Sequence, residues 1–327
     1  MRLALTIATC AAVAVASLIV PTGPVRAATV KVSGTAADLQ AALSDAQDGD
    51  VILIKAGVYR AADVDGFTLS GKSSITIRGL GKVRIDGEGT DTCLTVSNVN
   101  GLTIENVAFR NPSNDGMHVT GTRDLTVRRC VFDTCGDSGI EDRNTVNYIV
   151  DRCRFNACSW GLALGYASSA EGVQVLRSKF VNSTNYAIDL YSDGAMISGC
   201  KFTSSSTGGT AVRISQGFSG STVRKCGMTG GAIGVSVRAT GAILTGNVIR
   251  KPESYGIELR SAGGHTCDHN RITKSAGVGI YVDGTGSTIS DNVISKSADV
   301  DLEAAGVTTD NTYERNRYKT DRFSGDK

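Results

Sequence analysis

The chain has 327 residues, 41% apolar and 20% charged, with 34 Lys and Arg against 32 Asp and Glu. That near-balance excludes the broad basic excess expected of a nucleic-acid binder. Thirty-nine glycines and only four prolines suit many tight turns between short elements.

Arg2 precedes an uncharged apolar run to Val20, which Pro21, Gly23 and Pro24 break. Val25-Arg26-Ala27 fits the small-residue cleavage rule, so residues 1–27 are expected to be a secretory signal peptide rather than a membrane anchor. Without its two arginines the mature chain carries 32 cations and 32 acids, with no basic stripe visible. The mature protein is expected to be secreted, extracellular and monomeric, with no nucleic-acid or membrane partner.

Residues 28–50 read as an N-terminal cap. Thr35 can cap a helix whose third position is Asp38, with Leu39, Ala42, Leu43 and Ala46 on one face and Gly49 at its end. The strand Val51-Ile52-Leu53-Ile54 and the turn Ala56-Gly57-Val58-Tyr59 follow. Residues 51–319 carry a repeat, and residues 320–327 read as a frayed polar tail.

In the repeat an apolar strand is followed by Asn or Cys, one variable residue and a large apolar residue. The large residues are Phe109, Phe132, Phe155, Phe180, Phe202, Met228, Ile249, Ile272, Ile294 and Tyr318, spaced 21 to 26 apart. Such a period means a solenoid, and it leaves little room for a helix. Leucine-rich repeats share the period, but their Leu spacing is absent. The predicted fold is an all-β, single-stranded right-handed parallel β-helix. It has about three short strands per coil, about ten to twelve coils, and the capping helix at its open end.

Two positions before the large residues stand Cys130, Cys153, Ser178, Cys200, Cys226, Asn247, Asn270, Asn292 and Asn316. The Asn run predicts stacked side-chain amides. Adjacent coils ~4.8 Å apart would allow disulfides Cys130–Cys153, Cys135–Cys158 and Cys200–Cys226 in an exported chain. Cys93 and Cys267 have no evident partner. His265 and His269 are expected at the surface.

A small-apolar-x-apolar strand follows each large residue by seven to eight positions. Its outward middle residues are His118, Glu141, Ala163, Asp189, Arg213, Ser236, Glu258, Tyr281 and Asp301. The stretch from His118 to Arg213 concentrates His, carboxylates, Arg143, Arg213 and Tyr191, and Ala163 with Gly165 can floor a dent. The turns into these strands add Asp115, Asp137, Tyr186 and Trp160, the only tryptophan. Aromatics beside carboxylates and arginines are what binding of a sugar ring uses. The candidate substrate-binding set is His118, Trp160, Tyr166, Tyr186, Asp189, Tyr191 and Arg213. Alternation points Asp142 inward; an early strand end at Arg143 or Asn144 would leave it in a turn instead.

The opening segment has Leu39-Gln40-Ala41-Ala42-Leu43, Asp48-Gly49-Asp50-Val51-Ile52-Leu53, Ala56-Gly57-Val58-Tyr59 and Ser74-Ile75-Thr76-Ile77-Arg78-Gly79. It resembles the start of many polysaccharide lyases, and the mature chain resembles the pectate lyase-like right-handed parallel β-helix superfamily. Asn114-Asp115-Gly116-Met117-His118, Gly136-Asp137-Ser138-Gly139-Ile140 and Trp160-Gly161-Leu162 are similar to the catalytic segments of polygalacturonases. That likeness would make Asp115 a water-activating carboxylate and Asp137 a general acid. However, Ser138 and Trp160 replace that family's second acid and its His, and the Arg213 segment lacks its Lys.

The leading expectation is a lyase or epimerase acting on an acidic uronate polysaccharide such as pectate. Asp115, Asp137, Glu141 and Arg143 are the candidate catalytic groups, and Asp115, Asp137 and Glu141 are candidate ligands for Ca²⁺. One alternative is an inverting glycoside hydrolase using Glu141 and Asp189, roughly 9–10 Å apart across two coils. Another is a non-catalytic carbohydrate-binding or structural surface protein.

Overall fold

The computed structural model describes residues 27–165, 170–205, 208–305 and 310–323. The expected signal peptide and Tyr166 lie outside the described residues. The chain winds into a parallel β-solenoid of about 12 turns. One 12-stranded sheet runs from Phe67–Ser70 to Asp321–Phe323, and a 24-stranded sheet holds the other strands of each coil.

The repeat becomes register. Phe109, Phe132, Phe155, Phe180, Phe202, Met228, Ile249, Ile272 and Ile294 pair in succession. The five phenylalanines stack nearly parallel, with centroids 4.8–5.0 Å apart. Their rings fill the interior up to the first residues of the facing strands. A Cβ on Gly139 would lie 2.6 Å from the Phe155 ring, and one on Gly161 would lie 2.6 Å from the Phe180 ring. Glycine is therefore required where those strands begin.

The helix Ala36–Asp45 closes the first coil and buries Ala36, Leu39 and Leu43. Thr35 and Asp38 form the reciprocal cap. The helix stops at Asp45, ahead of Gly49. At the other end Asp321–Phe323, expected in a frayed tail, pairs with Leu302–Ala304.

Asn247, Asn270, Asn292 and Asn316 form the amide ladder. The Nδ2 groups of Asn247, Asn270 and Asn292 each donate to the next Oδ1 at 2.9–3.1 Å, and all four donate to a backbone carbonyl of the preceding coil. Asn270 Oδ1 also accepts from the Asn247 backbone. Asn270→Ala would strand a buried N–H and a buried C=O, and is expected to cost about 3 kcal/mol. Chemical denaturation with an unchanged transition midpoint would refute this.

The expected disulfides are absent: all eight described cysteines are free and buried. Parallel in-register strands set equivalent Cβ atoms ~4.8 Å apart, whereas a disulfide holds them at about 3.8 Å. The thiols face neighbouring carbonyls instead, Cys130 Sγ lying 3.6 Å from Ile104 O and Cys153 Sγ 3.4 Å from Val127 O.

Three other expectations are corrected. The strand Ser138–Arg143 does not end early, so Asp142 points inward and is fully buried. Its Oδ1 accepts from the Thr145 hydroxyl, its Oδ2 has no partner, and burial pushes its carboxyl up to about 6. His265 is buried, its Nδ1 accepting from Ala242 N, and burial lowers it to about 4. Glu303, not Asp301, continues the outward column, because Tyr281 pairs with Glu303.

Candidate functional site

The outward column of the 12-stranded sheet reads His118, Glu141, Ala163, Asp189, Arg213, Ser236, Glu258, Tyr281 and Glu303. Strands Met117–Thr120 and Ser138–Arg143 carry the first cluster. His118 Nδ1 lies 3.5 Å from Asp115 Oδ2 and 3.3 Å from Glu141 Oε2. Arg143 clamps Glu141 Oε1 through Nε at 2.9 Å and through its terminal nitrogen at 2.6 Å. Asp115 is buried and accepts from Ser138 N at 3.1 Å.

These contacts divide the ionisation states. Hydrogen bonds to Asp115 and then Glu141 raise His118 to about 9, so its imidazole is cationic at neutral pH. Hydrogen bonding from His118, with help from Arg143, holds Glu141 down at about 2. Burial raises the Asp115 carboxyl. Asp137, half-buried at the entrance of the same strand, is raised to about 6 by burial and then by the charges of Asp115 and Glu141. This end of the outward sheet face thus holds a protonated acid, His118, and a carboxyl that titrates near neutrality, Asp137.

Beyond this cluster Ala163 and Gly165 present almost no side chain. Trp160 stands at the lip, between Ser138 and Tyr186 in the pairing. The second cluster follows. Asp189 is 2% exposed and is held by Arg213 through two nitrogens. Arg213 also donates to the hydroxyls of Tyr186 at 2.9 Å and Tyr191 at 2.7 Å, and its guanidinium lies 4.0 Å from the Tyr186 ring centroid. The structure thus gathers Asp115, His118, Glu141 and Arg143 with Asp137, and separately Tyr186, Asp189, Tyr191 and Arg213. Four of Arg213's five donors are spent within the protein, so it braces Asp189 rather than reaching outward.

A third cluster was missed in the sequence. Arg260 donates to Glu258 Oε1 at 2.6 Å, Ser236 donates to Glu258 Oε2 at 2.8 Å, and the Arg260 guanidinium lies 5.3 Å from the Tyr281 ring centroid and 6.0 Å from that of Tyr255. The signal was present: Gly256-Ile257-Glu258-Leu259-Arg260 repeats Gly139-Ile140-Glu141-Asp142-Arg143 except at the fourth residue. Only the first copy has a histidine opposite its glutamate.

Among the described residues, Asp115, His118 and Glu141 alone form a group with metal-ligating potential, their ligand atoms within 4.8 Å of one another. Asp137 is not in that group. Ca²⁺ takes oxygen ligands, so two carboxylates with an imidazole fit it less well than three carboxylates would.

Two family models match the chain: "right handed beta helix region" over residues 61–218 and "periplasmic copper-binding protein (NosD)" over residues 175–325. Within the second span the described residues bring no three His, Cys, Asp or Glu donors together, and Cys200, Cys226 and Cys267 are buried in the core. No curated protein matches in sequence.

Among solved structures, the A-module of mannuronan C-5 epimerase AlgE4 from Azotobacter vinelandii is similar at 17% identity and a TM-score of 0.56, over 89% of this chain and 95% of that one. An alginate lyase from Paenibacillus is 15% identical with a TM-score of 0.51, over 91% and 98%. The surface adhesin PfbA from Streptococcus pneumoniae is 11% identical with a TM-score of 0.58, over 91% and 84%. At these identities the likeness is one of fold.

Proposed function

For a chain that belongs to the right-handed parallel β-helix superfamily, we propose the role of an exported carbohydrate-active protein, a lyase or epimerase of an acidic uronate polysaccharide. The observation that carries this reading is His118, held as a cation between Asp115 and Glu141 with Arg143 and Asp137 beside it. The lyase and the epimerase among its structural neighbours support the substrate class.

The reaction needs three things: neutralisation of the uronate carboxylate, a base for the adjacent C–H, and an acid for the departing oxygen. Arg143, 44% exposed, faces the groove beside the small step at Ala163 and Gly165 and offers its free edge to the carboxylate. Asp137, ionised above about pH 6, is the base. His118 is the acid: it gives its proton to the leaving glycosidic oxygen, while Asp115 and Glu141 hold the ring in place. In an epimerase the proton returns to the same carbon from the opposite face. The reading predicts a bell-shaped kcat/KM profile, rising near pH 6 as Asp137 ionises and falling near pH 9 as His118 deprotonates. A profile flat from pH 5 to 10 would remove both assignments.

The inverting-hydrolase alternative loses its second carboxylate, because Asp189 is sealed under Arg213. A non-catalytic binding protein is the second reading. It is favoured by the cluster's own satisfied ion pairs and by the adhesin among the neighbours.

A panel of polygalacturonate, pectin, alginate and glycosaminoglycans, each with Ca²⁺ and with chelator, separates the readings. A rise in 235 nm absorbance together with reducing ends supports a lyase. Proton exchange at C5 without cleavage supports an epimerase. Binding without either reaction sinks the catalytic proposal, and activity that chelator abolishes restores calcium through Asp115 and Glu141.

A further inference from the structure

The mature sequence has no net charge and no visible basic run, yet folding builds a basic ridge on the 24-stranded sheet, away from the groove. Register stacks Arg154 on Lys179 and Lys179 on Lys201 in three successive coils, all exposed. At the adjoining turn, backbone hydrogen bonds stack Arg129, Arg152, Arg177, Gly199 and Lys225. Arg224, exposed, precedes Lys225.

Glu105 engages Arg129, and Asp151 engages Arg152 and Arg177. No ion pair joins Arg154, Lys179, Lys201, Arg224 or Lys225 to a described acid. Arg129, Arg152, Arg177 and Lys225 occupy left-handed backbone, with φ between 48 and 54°. Other coils place Gly199 and Gly246 there, which the conformation suits. Long cationic side chains thus stand where glycine would be less strained.

We infer that this ridge is a second docking site, distinct from the groove, for an extended acidic polysaccharide lying along the solenoid axis. The cation columns advance by one coil, ~4.8 Å, and a uronan presents one carboxylate per sugar ring along an extended chain. Single-stranded nucleic acid is held on aromatic platforms as well as charge, and the phenylalanines of the strands that carry the ridge, Phe155, Phe180 and Phe202, are buried inside. Duplex phosphates recur every ~3.4 Å along a strand, out of step with the coils. The choice of an acidic polysaccharide rests on the function proposed above; the ridge itself does not. Its role is retention of polymer while the groove works on one segment.

The test is affinity electrophoresis of the full chain in gels containing polygalacturonate, with a 30-nucleotide single-stranded DNA as competitor. The variant R154E/K179E/K201E is expected to weaken retention at least tenfold and to flatten its salt dependence, while turnover of short oligouronates stays unchanged. The neutral variant R154Q/K179Q/K201Q, checked by circular dichroism, is expected to show a smaller loss and guards against misfolding. Retention unchanged in both variants overturns the inference, as does wild-type protein preferring the DNA. Because retention is read without turnover, an inactive groove with an intact ridge would refute the proposed chemistry alone.

Discussion

Replacing Glu141 by glutamine is expected to lower kcat/KM on the responsive uronan by 10²–10⁴-fold, the range for loss of positioned acid–base catalysis. The substitution keeps the shape and removes the charge that holds both His118 and Arg143. His118 would then bind its proton less tightly, and the alkaline limb of the rate profile should move down from about 9. Glu258→Gln is the matched control. It breaks the same Glu-x-Arg pair at Arg260, where Ser236 stands in place of a histidine. Equal losses in both variants would mean that the pair is merely structural.

The same residue links pH to stability. His118 holds its proton more strongly folded, at about 9, than at its ordinary 6.5. Its stabilisation is complete below about pH 6.5 and disappears as pH rises through 9. Glu141→Gln should reduce that alkaline loss and move it to lower pH, with Asp115 still holding part of it.

Phe155→Ala is expected to destabilise the fold by about 3–5 kcal/mol. Phe155 stacks on Phe132 at 4.9 Å and on Phe180 at 4.8 Å, so one truncation removes two ring contacts and opens a cavity. Each coil is supported by its neighbours alone. Amide exchange should therefore accelerate first in the coils holding residues 131–181, and more slowly near Asn270. Uniform acceleration along the chain would contradict this, as would a loss under 1 kcal/mol.

Most of the fold was legible because a solenoid writes its geometry as a period. The Phe and Ile column, the Asn ladder, the capping box at Thr35 and the outward column from His118 to Tyr281 all follow from spacing. The failures share one cause: spacing gives stacking but not the direction and reach of a side chain. Cys130 and Cys153 stack as expected, yet parallel Cβ vectors keep their sulfurs from bonding. Arg213 lies on the expected face, but its donors are consumed by Asp189, Tyr186 and Tyr191. Asp142 is inward because the strand runs on to Arg143, which no turn residue announces. The basic ridge escaped because Arg154, Lys179 and Lys201 are 22 to 25 residues apart in sequence and one coil apart in space.

The coil that contributes Ala163 and Gly165 also sets a length. Because every coil adds the same rise, the solenoid is graduated like a ruler, and Glu141 and Arg213 stand three of its divisions apart. Inserting or deleting one coil there would shift every downstream contact by one division without disturbing the chemistry at His118. Such a chain could be retuned to polymers of different repeat length by changing coil number alone, leaving each side chain as it stands.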